Sequence, residues 1–176
     1  MQIRNTHRRE MNAPIETVGA LLDTLASRED RLWPGEAWPK MKFDRPLSVG
    51  ADGGHGPIRY FVEEYQPSTY IRFRFTGPRG FDGFHELRME ALPENQTFLI
   101  HNLEMSARGI ANLSWPLIFR PLHDALVEDA FTKAQAQLGL SPEIQPWSLQ
   151  VRFLRWALTL GKASPQPYSQ PVANTP

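Results

Sequence analysis

IRYFVEEYQPSTYIRFRFT, residues 58–76, decides the fold. Apolar and polar side chains alternate along Ile58 to Gln66 and again along Thr69 to Thr76, with Pro67-Ser68 between them. Period two on both sides of a turn pair is the pattern of a β-hairpin buried on one face. With Pro67-Ser68 as a two-residue turn, Gln66 pairs with Thr69. Glu64, Val62 and Tyr60 then face Ile71, Phe73 and Phe75, and the apolar content of this set marks it as the inner face. Glu63 across from Arg72 belongs to the solvated face.

The same alternation extends outward. Met41 to Leu47 reads as a preceding strand, and Gly50 to Pro57 as a glycine-rich connection. Phe81 to Leu92 and Gln96 to Ala107 form a second hairpin about Pro93-Glu94-Asn95, with Leu92 opposite Gln96. Its inner set is His85, Leu87, Met89, Leu99, His101, Leu103 and Met105. Upstream, Ile3 to Met11 is a weak strand with Ile3, Asn5, His7, Arg9 and Met11 on one face. Pro14 opens a helix whose apolar stripe is Ile15, Val18, Leu21, Leu22 and Leu25, and Ser27 caps a second short helix to Leu32. Asn112 to Leu138 is a long helix, kinked by Pro121 and stopped at Gly139. Strands followed by a covering helix imply an α+β fold with an antiparallel sheet of six to seven strands curved around that helix. Such a pair encloses a space, and small-molecule sites are apolar cavities of this kind.

The 176 residues carry 19 Lys+Arg, 19 Asp+Glu, five His and no Cys. Zero net charge argues against a general nucleic-acid binder, because no global positive field draws in phosphate. Without Cys there are no disulfides, thiolate metal sites or Cys nucleophile, and a reducing cytoplasm fits. The charged N-terminus has no apolar run of the signal-peptide kind. The expected organisation is a ligand-binding domain over residues 1–139, an added helix over 140–162, and a Pro/Ser/Gln-rich disordered tail over 163–176.

Asn12 to Val18, Gly56 to Tyr60, Val62 to Pro67 and Arg72 to Phe75 resemble the START/Bet v 1-like (SRPBCC) superfamily, in particular its polyketide cyclase/dehydrase-like members. The resemblance covers about residues 3–138. It implies a helix-grip fold that binds lipids, polyketides or other hydrophobic molecules, as a carrier, a sensor or an enzyme. It transfers no catalytic residue.

The candidate ligand-binding residues are Tyr60, Val62, Glu64, Ile71, Phe73, Phe75, His85, Leu87, Met89, Leu99, His101 and Leu103 from the strands, with Leu122 and Leu126 from the long helix. His85 and His101, joined by His7 if the first strand pairs with the last, are candidate acid/base groups for a cyclase or dehydratase, since imidazole exchanges protons near neutral pH. Polar groups that orient a ligand are the alternative. Three His without a nearby acid or Cys are no recognised metal spacing, so neither metal nor cofactor is expected. His123-Asp124 is an adjacent helical pair whose side chains point apart, which reads as a solvated helix face.

Beyond Glu143 the chain holds no acid. On a helical projection of Trp147 to Lys162, Ser148, Arg152, Arg155, Thr159 and Lys162 form one narrow basic stripe, and Leu149, Val151, Phe153, Leu154, Trp156, Leu158 and Leu160 fill the rest. Three roles fit this helix: packing on its own domain, pairing with a second copy, or lying on a membrane surface.

Overall fold

The computed structural model describes residues 1–162 and 164–168. Seven antiparallel strands form one curved sheet: β1 (Gln2–Met11), β2 (Lys42–Phe43), β3 (Asp52–His55), β4 (Ile58–Gln66), β5 (Tyr70–Gly77), β6 (Phe81–Leu92) and β7 (Gln96–Ala107). Their order in space is β1-β7-β6-β5-β4-β3-β2, so the first strand closes against the last. Helix α1 (Ile15–Leu22) follows β1. After β7 come a single turn, α2 (Ala111–Ser114), a wide π-type turn over Trp115–Phe119, and α3 (Arg120–Gln137), which crosses the concave face. A last helix, α4 (Leu149–Leu158), lies against α3. This is the helix-grip arrangement.

Three sequence expectations are corrected here. Ser27 to Leu32 is not a second helix but a run of turns. The Asp30 carboxylate organises it, accepting from the backbone N–H of Ala26, Leu32 and Trp33. The glycine-rich connection contains strand β3. Gly53 and Gly54 pass so close to the β2 and β4 backbones that a Cβ would sit 2.0 Å from the carbonyls of Lys42 and Ile58. The strand expected over Met41 to Leu47 shrinks to Lys42–Phe43.

The β6–β7 register matches the expectation: Leu92 pairs with Gln96, Met89 with Leu99, Leu87 with His101 and His85 with Leu103. The β4–β5 register does not match throughout. Its loop has three residues, with Ser68 in the left-handed region at φ 57°, and Gln66 pairs with Tyr70. The extra residue shifts Glu64 onto Arg72. A bulge between Val62 and Glu64 absorbs the shift, so Val62–Phe73 and Tyr60–Phe75 are restored.

A polar seam joins β1 to α3. Asn5 donates to Asp124, and the His7 ring bonds Glu128 at 2.7 Å and Asp124 at 3.1 Å. Arg9 reaches Glu128, Thr132 and Gln135. The Asn5, His7, Arg9 alternation thus faces the helix, and α3 turns polar residues inward to meet it. Such pairs return little net stability but fix orientation, since removing one partner strands the other.

Pro121 widens the helix above α3. It has no N–H, so the Leu117 carbonyl loses its intrahelical partner and the Arg120 N–H reaches back to Trp115 O instead. The freed carbonyl accepts from Gln150 Nε2 of α4 at 3.0 Å. This bond ties α4 to the turn that follows α2.

Candidate functional site

Between the concave sheet and α3 lies a cavity of about 370 Å³. Phe73 and Phe75 of β5, Phe81, His85 and Leu87 of β6, and His101 and Leu103 of β7 form one wall. Trp115, Phe119, Leu122, His123, Leu126, Ala130 and Phe131 form the helical wall. Leu25, Leu32, Trp33, Trp38 and Met41 close a third side. Pro39, Pro57, Ile118, Leu158 and Thr159 are the exposed members of the lining and mark the mouth. The lining is almost wholly hydrocarbon and ring carbon. Curvature leaves the hollow: inward residues of a bent sheet diverge from the helix they cover, and Ala130 is too small to bridge the gap.

Of the residues expected at the site, eight line this cavity: Phe73, Phe75, His85, Leu87, His101, Leu103, Leu122 and Leu126. Tyr60, Val62, Ile71, Met89 and Leu99 are buried beside it in the core and do not border the hollow. Glu64 lies outside. The register shift carries it to the convex face, where its carboxylate pairs with Arg72 at 3.0 Å.

The imidazoles form a chain along the wall. Ring centroids of His85 and His101 are 5.5 Å apart, and His101 and His123 4.9 Å. His123 lies 6.0 Å from His7, and His55 and His85 flank the Tyr60 ring at 5.8 and 4.8 Å. His123 is therefore not on a solvated helix face, which corrects the sequence reading. It sits one turn from Phe119 and Leu126, on the stripe that faces the sheet, and that spacing was the available signal. His55 had none, because it belongs to the strand hidden in the glycine-rich stretch.

Burial sets the charge states. It pushes the His85 and His101 imidazoles well below their usual range, and neighbouring imidazoles add to the effect. It also lowers His123, against the hydrogen bond that its ring makes to the Asp124 carboxylate. Burial opposes charge on His7 too, but hydrogen bonds and attraction from Asp124 and Glu128 outweigh it and raise its pKa to about 9. The wall is thus neutral at pH 7, and the cation is held behind it. Tyr60 Oη, His85 Nε2, His101 Nδ1 and His123 Nε2 are buried and find no hydrogen-bond partner among the described residues. Ligand-type atoms of His7, His123 and Asp124 lie within 4.8 Å of one another, but both His7 nitrogens already bond carboxylates.

Arg155 on α4 also borders the cavity and is the buried member of the basic stripe, whose Ser148, Arg152, Thr159 and Lys162 are exposed. The guanidinium lies between the Trp38 and Trp147 rings, 4.3 and 4.2 Å from their centroids, and donates to Ala37 O at 2.6 Å. Asp129 accepts from both indole N–H groups and faces the cation at longer range. Val151 and Arg155 are the buried residues of α4, so a basic residue points inward and the apolar face points out. Part of the expected tail returns to the domain, since Gln166 donates to Asp129 and to Gln145 O. Residues 163 and 169–176 of that tail lie outside the described residues.

No protein-family model and no curated protein sequence matches the chain. Solved structures do. Norcoclaurine synthase from Thalictrum flavum, in complex with dopamine and hydroxybenzaldehyde, aligns with a TM-score of 0.60 at 16% identity, over 81% of this chain and 90% of that one. CalU16 from Micromonospora echinospora aligns with a TM-score of 0.58 at 14% identity, over 90% and 87%. A Thermobifida fusca protein solved by NMR aligns with a TM-score of 0.59 at 12% identity, over 81% and 99%. At these identities the likeness concerns the fold. The chain shares the helix-grip fold of these structures.

Proposed function

We propose that this protein binds one small, largely hydrocarbon ligand in the cavity between the sheet and α3, and serves as its carrier. The observation that carries this reading is the hollow itself: about 370 Å³ lined by aromatic and aliphatic side chains, open at one mouth. Binding there comes from removing apolar surface from water, at about 25 cal/mol per Å² before ordering costs. The candidate binding residues are the eight expected ones that border the hollow, with Trp115, Phe119, His123 and Ala130 added. Native mass spectrometry of protein purified from its own host tests this. A retained small hydrophobic molecule is expected, and a chain that stays empty there and takes up no hydrophobic probe refutes the carrier role.

A second reading is a cyclase or dehydratase acting on a polyketide-like substrate. It is favoured by the ring nitrogens His85 Nε2 and His101 Nδ1, which lie on side chains of the cavity wall and find no partner among the described residues, so that they can hydrogen-bond a substrate inside an otherwise apolar site. Turnover of such a substrate that survives substitution of both His refutes it.

A further inference from the structure

Helix α4 turns its apolar face to solvent. Leu149, Phe153 and Trp156 recur at intervals of four and three residues and are 80%, 62% and 58% exposed, and Leu160, just past the end of the helix, is 88% exposed. Next to them Leu113 and Leu117 are also largely exposed, and the Gln150–Leu117 bond joins the two segments into one surface. The cavity mouth opens within it, between Ile118 on one side and Leu158 and Thr159 on the other. A contiguous apolar surface of this kind marks an interaction site.

Charge selects the occupant. From Ile144 to the end the sequence has Arg152, Arg155 and Lys162 and no acid. Arg155 is buried, which leaves Arg152 and Lys162 exposed beside the apolar face. A two-fold contact between copies would set this face against itself and bring Arg152 and Lys162 of both copies together, with no acid from residues 144–176 to offset them. Anionic lipid headgroups supply the missing charge, and Trp, Phe and Leu enter the acyl boundary beneath them. We propose that α4 and the segment over residues 111–118 dock on an anionic lipid bilayer, with the cavity mouth against the membrane. The ligand then passes between bilayer and cavity without crossing water. Docking stands on the exposed face alone, and only ligand passage rests on the carrier reading.

Flotation of the full chain with vesicles tests docking. Binding to phosphatidylglycerol–phosphatidylcholine vesicles is expected, with weaker binding to phosphatidylcholine alone. Phe153→Glu with Trp156→Glu should lower partitioning at least about tenfold, while the melting temperature and uptake of a hydrophobic probe stay as in the parent. Arg152→Gln with Lys162→Gln should remove only the preference for anionic vesicles. Ala130→Trp, which fills the cavity, should float like the parent; if the parent floats but never carries a hydrophobe, the carrier reading fails and docking stands. A parent chain that binds neither vesicle overturns the proposal. So does equal flotation of the Phe153/Trp156 variant, or a parent dimer in sedimentation that this variant breaks without any vesicle binding.

Discussion

The wall of the cavity and its mouth differ in what each leaves without a partner. Along β6, β7 and α3 the wall carries His85, His101 and His123, backed by the charged cluster of His7, Asp124 and Glu128. At the mouth, Pro39, Pro57, Ile118 and Leu158 leave apolar surface open to water. Three imidazoles thus interrupt an otherwise apolar wall, while apolar side chains stand open to water at the mouth. The difference teaches that each region is unfinished by itself. Unpaired buried nitrogens cost stability, as does exposed hydrocarbon, and both costs fall when a ligand or a surface covers them.

The contrast is most directly broken by filling the hollow. Ala130→Trp should weaken binding of a fluorescent hydrophobic probe by about 100-fold or more, because the bound volume is lost. A titration showing unchanged affinity would place the probe elsewhere. Behind the wall, His7→Ala removes the cation between two carboxylates and should cost about 2–4 kcal/mol in urea denaturation. At the mouth, Arg155→Ala removes a guanidinium held by two indoles and should cost about 2 kcal/mol, with faster amide exchange in α4. Outside both regions, Glu64→Gln should change stability by no more than about 0.5 kcal/mol, as for other surface ion pairs.

The pH dependence sharpens the same contrast. Folding takes up a proton at His7, so its contribution is complete below the unfolded value of 6.5 and is lost as pH rises through about 9. His85, His101 and His123 are depressed, so the unfolded chain binds protons that the fold excludes, and stability falls as pH drops below 6.5. The melting temperature should therefore be highest near pH 6.5 and fall on both sides. Replacing His7 with Gln should flatten the alkaline side and leave the acid side in place.

Local pattern made much of the frame legible. Strict alternation in Phe81–Leu92 and Gln96–Ala107 gave the hairpin register to the residue, because a one-place slip would turn His85, Leu87, Leu99 and Leu103 out of the core. In Ile58–Gln66 the same logic placed Val62 and Tyr60 but misplaced Glu64, since neither the left-handed Ser68 nor the bulge is written in the hydrophobic period. His123 was misread because it was weighed only against its neighbour Asp124, whereas its spacing to Phe119 and Leu126 places it on the apolar stripe of the helix.

By itself, then, the sequence determined the antiparallel sheet, the long helix over it and an amphipathic helix at the end, because periodicity is a local property of the chain. The orientation of the last helix came only with the tertiary structure. The projection of α4 showed an apolar side and a basic stripe, and hydrophobicity predicts that the apolar side goes in. Trp38, Trp147 and Asp129, distant in sequence, converge to cradle Arg155 and turn the helix the other way. No local pattern encodes a site assembled from three separate segments, because its stability comes from contacts that exist only after the chain has folded.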